Sequence, residues 1–278
     1  MVLFDDFPTQ LNMDFRCVCA KKPKYIETIP KARDIIDKGW CKPPDYVVEK
    51  MIDESTWVIA VDIETNDWED SRGNKGNIGK FGFYNLCKPS DLEVRIVQLG
   101  WSFGPPSEDA TIKEVLICPE GFEISEKATK YHGISNELVK THGISLKDAL
   151  NDFMNDAASV IDKNGRMVCH HLEFDAGIIA NEMKRCGMFE SMDTFEEYAR
   201  RGLCTMDPYI GRWLMQCYGE DVGPSTAMNV LSLTKLVELT LPEEKHLLEK
   251  RHSAGVDSHL VRKLAYTLCR LSKKKTYV

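Results

Sequence analysis

The sequence has no long apolar run. Its longest, Trp57-Val58-Ile59-Ala60-Val61, spans five residues, far short of the roughly 20 that a membrane-crossing helix needs, so no membrane role is expected. Residues 1–14 contain Asp5 and Asp6 and no basic residue, which does not read as a secretory leader. The chain is therefore expected inside the cell, in cytoplasm or nucleus. Ten cysteines are present, but no two form a CxxC pair. The closest, Cys17 and Cys19, lack zinc-knuckle spacing, which argues against a structural zinc site and for simple thiols in a reducing compartment. Positive charge is also scarce. Lys and Arg number 36 against 43 Asp and Glu, a net charge of -7, unlike a protein that coats phosphate backbone.

The basic charge that exists is concentrated. From Lys245 to Lys275 nine Lys and Arg face only Glu249 and Asp257. That distribution fits an enzyme holding a short piece of nucleic acid locally, and fits equally a solvated helix face with a lysine-rich tail. With 43% hydrophobic and 28% charged residues, the remainder is ordinary globular composition.

Residues 1–54 are punctuated by Lys22-Pro23, Ile29-Pro30 and Pro43-Pro44, with short helical patterns near 31–38 and 45–53. They are expected to form an N-terminal extension, a candidate docking arm for a protein partner. Periodicity becomes clear at Thr56, and residues 55–278 are expected to form one domain. Residues 57–62, 95–103, 112–118 and 166–169 read as strands. Residues 146–161, 173–186, 206–218, 228–239 and 255–272 read as helices. Strands followed by strand–helix alternation predict an α/β fold with a mixed sheet. The stretch at about 66–94 carries turn chemistry, Ser71-Arg72-Gly73-Asn74-Lys75-Gly76 and Gly79-Lys80, and reads as an insertion. His132-Gly133-Ile134-Ser135 recurs as His142-Gly143-Ile144-Ser145, and nothing else repeats.

Three fragments carry chemistry. In Asp62-Ile63-Glu64, alternation along a strand sends both carboxylates to one face. Side by side they repel unless a proton or a hard cation such as Mg²⁺ or Mn²⁺ intervenes. His170-His171-Leu172-Glu173-Phe174-Asp175 follows a short strand and opens a helix, where α/β proteins gather ligands; Asp175 alone reads more readily as a charge serving the helix dipole. His252-Ser253-Ala254-Gly255-Val256-Asp257 offers a histidine suited to base work, small residues that permit close approach, and one more carboxylate. Taken alone, it reads more readily as a capping and surface arrangement.

Together, in this order and setting, the fragments resemble the DEDDh (DnaQ-like) 3′–5′ exonucleases over about residues 56–272. Arg95-Ile96-Val97-Gln98-Leu99-Gly100, Tyr131-His132-Gly133-Ile134-Ser135, Cys204-Thr205-Met206-Asp207 and Asn229 to Leu236 resemble further family segments. The resemblance implies an RNase H-like fold, a mixed central sheet flanked by helices. It implies that Asp62, Glu64, Asp175 and Asp257 bind two Mg²⁺ (or Mn²⁺), with His252 as general base. Nucleic acid with a free 3′ end, single-stranded, would be the substrate and nucleoside 5′-monophosphates the product. Thr65, Asn66, His132 and His171 would lie against substrate. The family often has Asn where His171 stands. The insertion, longer than the family's usual connection, supplies Arg72, Lys75 and Lys80 for phosphate and Phe81, Phe83 and Tyr84 for stacking, or else packs as a decoration on the sheet edge. A second reading is a catalytically silent nucleic-acid-binding or scaffold module on the same fold. Nothing in the sequence separates DNA from RNA as substrate or sets the oligomeric state.

Overall fold

The computed structural model describes residues 43–67, 94–106, 110–220 and 230–273. Five strands form one sheet: β1 (Val58–Thr65), β2 (Ile96–Gly104), β3 (Thr111–Leu116), β4 (Arg166–Cys169) and β5 (Leu203–Cys204), in the order β3-β2-β1-β4-β5. β1 pairs antiparallel with β2, and β2 with β3. β1 pairs parallel with β4, and β4 with β5. The helices are α1 (Asp45–Val48), α2 (Glu126–His132), α3 (Asn136–His142), α4 (Leu146–Ile161), α5 (Leu172–Arg185), α6 (Phe189–Arg200), α7 (Pro208–Cys217), α8 (Leu233–Thr240) and α9 (Ala254–Ser272). A 3-10 segment covers Pro242–Lys250. This is the mixed, helix-flanked sheet of the RNase H-like fold.

The alternation of β1 explains the two layers. Ile59, Val61 and Ile63 point into a core shared with α4, α5 and α6. Val58 and Ala60 point into a second core shared with α7, α8 and α9. Side chains two apart share a face, so Asp62 and Glu64 emerge on the α9 side. Val47 and Ile52 are buried in that second core. Lys50 bonds to buried Asp207 at 2.5 Å, so the residues immediately before β1 pack as part of the same folded unit.

Helices 146–161 and strand 166–169 fall where periodicity predicts them. Three helices, α2, α3 and α6, go beyond the sequence expectation. The near-repeat has a local physical cause. His132 and His142 each end a helix, a glycine follows, and Ser135 and Ser145 each cap the next helix through the side-chain oxygen. The repeated tetrapeptide is a stop signal joined to a start signal. α6 is short and acidic, and it buries only Phe195, Glu196, Tyr198 and Ala199.

Two irregularities shape the end of β1. The register with β2 slips between Glu64, which faces Gln98, and Thr65, which faces Ile96. The bulge leaves Val97 to fill a small third cluster with Ile124, Ala128, Ile134 and Val139. Bulges re-aim side chains beside functional sites. Two register steps back from Glu64, Gly100 lies opposite Asp62, and the first turn of α9 rests directly on it.

Candidate active site

β1 and β4 run parallel, so their C-terminal ends meet at one end of the sheet. A cavity of about 560 Å³ opens there. Asp62, Glu64 and Thr65 reach it from β1, and His170, His171 and Asp175 from the β4–α5 junction. Tyr131 and His132 reach it from α2, and Arg251, His252 and Asp257 from the entry into α9. Met206, Phe174 and the start of α8 at Ser232 and Leu233 complete the wall. All five residues of the expected acid–histidine set thus line one cavity.

The carboxylates are poised for a cation. Burial pushes the Asp62 carboxyl well above its usual range, and the charges of Asp175, Asp257 and Glu64 push the same way. Burial, then Asp257 and Asp175, raises Glu64 to about 8, against a smaller opposing pull from Arg251. Burial raises Asp257 to about 6, opposed by the His252 backbone, and it raises Asp175. One oxygen of Asp175 and one of Asp257 are buried without a hydrogen-bond partner. Buried acceptors are rarely left unpaired, and crowded carboxylates facing orphan oxygens fit a hard divalent ion. Ligand atoms of Glu64, His252 and Asp257 lie within 4.8 Å of one another.

The loop carrying His252 is held from several sides. The His252 backbone N–H donates to Asp257 Oδ2 at 3.1 Å. Gln98 Oε1 accepts from Ala254 N at 2.9 Å, and Glu114 Oε2 accepts from Gly255 N at 2.8 Å and from the Ser253 hydroxyl. β2 and β3 therefore cap the open amides of α9. His252 itself has φ 69°, a left-handed conformation that only a constrained non-glycine residue keeps. Its Nδ1 lies 3.9 Å from Glu64 Oε1. Tyr131 packs on its ring at a centroid distance of 4.0 Å. Burial, then Arg251 and His132, lowers the imidazole to about 4, so it is neutral at neutral pH.

The other histidines are anchored. His170 Nδ1 is 3.0 Å from Thr205 Oγ1, and burial, followed by His171 and Arg251, lowers it to about 3. His171 is the N-cap of α5, its Nδ1 accepting from Phe174 N at 3.1 Å. Asparagine would cap through its side-chain oxygen in the same way. His132 Nδ1 accepts from Ile134 N at 3.0 Å, which leaves Nε2 to donate to the Thr65 carbonyl at 3.1 Å. It ties α2 to the end of β1.

Not every expected residue reaches the cavity. Asn66 does not line it. Its side-chain oxygen accepts from Arg95 N at 2.7 Å, and its backbone closes onto Arg95 and Ser125. It ties the end of β1 to Arg95, just before β2, and to Ser125, the cap of α2. Arg72, Lys75 and Lys80 lie outside the described residues. Of the described basic residues after 245, only Arg251 lines the cavity. Lys245, Lys263 and Lys273 pair with acidic neighbours. Arg262 is 2% exposed, bonded to the Pro105 carbonyl and seated over Tyr266. Arg251 was legible only as one charge among nine, and its sole distinguishing mark was adjacency to His252.

No family model matches the sequence, and no curated protein matches it. Solved structures do. Exonuclease I in its apo form superposes with a TM-score of 0.51 at 13% identity, covering 78% of this chain and 44% of that one. E. coli exonuclease I in complex with a dA16 oligonucleotide gives 0.51 at 13%, covering 78% and 42%. The chain spans less than half the length of these exonucleases, and the likeness establishes the fold. Among the described residues, no helix is long and apolar enough to cross a membrane.

Proposed function

We propose that this chain is a metal-dependent 3′–5′ exonuclease that trims single-stranded DNA or RNA and releases nucleoside 5′-monophosphates. The observation that carries this reading is the cavity at the C-terminal ends of β1 and β4, where four carboxylates converge with their ionisation suppressed and two buried oxygens unpartnered. The likeness to an exonuclease solved with an oligonucleotide supports the ligand class.

Asp62, Glu64, Asp175 and Asp257 would hold two Mg²⁺ or Mn²⁺. Bound there, such ions supply Lewis acidity toward the phosphoryl oxygens and lower the pKa of water. The chain's own residues do the rest. His252, neutral and beside Glu64, accepts the proton of the attacking water. Base catalysis of this kind contributes about 10²–10⁴-fold. The Tyr131 ring, 54% exposed at the cavity wall, offers a terminal base a stacking surface. His132 holds the Thr65 carbonyl in place, and His171 fixes the start of α5 so that Asp175 faces inward.

The test incubates 5′-labelled single-stranded DNA and RNA of one sequence with the protein in Mg²⁺, Mn²⁺ or EDTA. Asp62→Ala and His252→Ala variants run beside it. A ladder shortening from the 3′ end, abolished by EDTA and by Asp62→Ala, is the expected result. Folded, metal-binding protein that leaves both strands intact would establish the silent binding module instead.

A further inference from the structure

Arg251 is a cation facing a carboxylate-lined cavity, yet it holds none of those carboxylates. Its Nε and terminal nitrogen lie 3.1 and 2.7 Å from His252 Nε2. Its other terminal nitrogen donates to the Thr234 hydroxyl in the first turn of α8. Among the described residues it makes no ion pair within 4.0 Å. Both partners are neutral.

The geometry has a consequence for His252. A guanidinium donates only, so Nε2 accepts. The neutral ring then carries its proton on Nδ1, the nitrogen 3.9 Å from Glu64. With Nε2 occupied and Nδ1 protonated, neither nitrogen is free to take a proton while Arg251 stays in place. The obstruction is removable. The guanidinium sits at the end of a long side chain, held by two neutral acceptors. A phosphate oxygen adds an opposite charge that imidazole and hydroxyl lack, and it can be bonded bidentately in a geometry that matches the guanidinium fork.

We propose that Arg251 is the phosphate-binding residue of this cavity, parked on His252 and Thr234 until an incoming phosphodiester draws it off and uncovers the imidazole. The proposal rests on the exonuclease reading for the identity of the ligand. It adds that substrate binding and release of the base are one event. Exchange of the guanidinium from an imidazole to a phosphate breaks and forms only hydrogen bonds, and no proton changes owner in it. The remaining described cations of the C-terminal region do not line this cavity, so the role falls to Arg251.

The test compares wild type, Arg251→Gln and Arg251→Lys by anisotropy of a 5′-fluorescein-labelled oligodeoxythymidylate, with Ca²⁺ in place of Mg²⁺, across a KCl series. Mn²⁺ affinity, followed by electron paramagnetic resonance, verifies that each variant folds with its carboxylates intact. Arg251→Gln is expected to weaken binding roughly 10–100-fold, as loss of hydrogen bonds to a charged group does. It is also expected to flatten the dependence of log K on log salt by about 0.7, the increment for one phosphate contact on a single strand. Arg251→Lys keeps the steep slope and recovers part of the affinity. Unchanged affinity and slope in Arg251→Gln, with a fall in kcat alone, would overturn phosphate binding and leave Arg251 a support for His252. The two readings fail separately. Wild type that shortens strands while Arg251→Gln binds normally sinks this proposal only. Wild type that binds through Arg251 but never cleaves sinks the exonuclease reading only. Wild type that binds no oligonucleotide sinks both.

Discussion

Gly100 on β2 touches the backbone of Ala254 at the start of α9 so closely that a Cβ on Gly100 would lie 2.1 Å from the Ala254 carbonyl carbon. The contact sits opposite Asp62 in the β1–β2 register. It brings His252 and Asp257 within reach of the β1 carboxylates. The absence of one methyl group is thus what lets the first and third acidic fragments share a cavity.

Gly100→Ala is expected to push α9 off the sheet. The obstacle is backbone on both sides, so the overpacking cost should reach about 1–3 kcal/mol, with Mn²⁺ affinity and strand shortening falling together. Gly177→Ala in α5 is the matched comparison. Nothing lies within 4 Å of its added Cβ, and replacing a helical glycine should add about 0.5–1 kcal/mol. Urea unfolding of both variants, with Mn²⁺ titration, checks the pair.

The metal-free protein should lose stability as pH rises from about 6.5 to 8. Glu64 is raised from 4.5 to about 8, and Asp62 and Asp175 shift upward too. A raised carboxyl favours the fold while protonated and loses that contribution as pH climbs through its folded value. His170 and His252 work in the opposite sense, being lowered to about 3 and about 4. Their contribution is complete above the ordinary histidine value of 6.5, so the carboxylates alone act beyond it. Tm in EDTA should decline across that window. Excess Mg²⁺ or Mn²⁺ should abolish the decline, with a larger Tm gain at pH 8 than at pH 6.

Asp175→Asn separates stability from activity. Asp175 is 3% exposed and leaves one oxygen unpartnered. Removing the charge relieves the crowding with Asp62, so the metal-free variant should melt above wild type in EDTA near pH 8. The Tm gain from Mn²⁺ should shrink. Activity should fall by no less than the roughly 10²–10⁴-fold that a general base contributes. A variant that melts lower in EDTA and retains its response to Mn²⁺ would contradict this assignment.

Lys50→Met should destabilise the fold by about 1.5–3 kcal/mol, the range for a hydrogen bond to a charged partner. Lys50 is the ion-pair partner of Asp207 at 2.5 Å, and Asp207 is 3% exposed. Asp207 also caps α7 through Tyr209 N at 2.8 Å, so Asp207→Ala should cost more than Lys50→Met. Denaturant midpoints of the two variants measure the difference.

Much of the site was legible because its signals are local. Alternation puts Asp62 and Glu64 on one face wherever the strand is placed, and Asp175 and Asp257 each follow a helix start marked by His171 and Ser253. The helices 126–142 were harder. Each is seven residues long, with one buried side chain apiece, too little apolar surface to show a period. The basic C-terminal region reads in sequence either as a nucleic-acid surface or as a solvated helix face. Lys263 and Lys273 are taken up by Glu244, Asp53 and Glu54, partners that adjacency in sequence does not announce.

The sequence by itself determined the type of four strands and five helices and the two-faced character of β1, which follow from side-chain period, and it offered Asp62, Glu64, Asp175, Asp257 and His252 as a set through the resemblance that its ordered fragments carry. Only the tertiary structure decided that these groups meet, that Gln98 and Glu114 cap α9 from two strands, that Asn66 bonds to Arg95 and Ser125 and that Arg251 covers His252. Each of these depends on which backbone surfaces come within a few ångströms of one another. That is a property of the packed chain, with no counterpart in the spacing of residues along it.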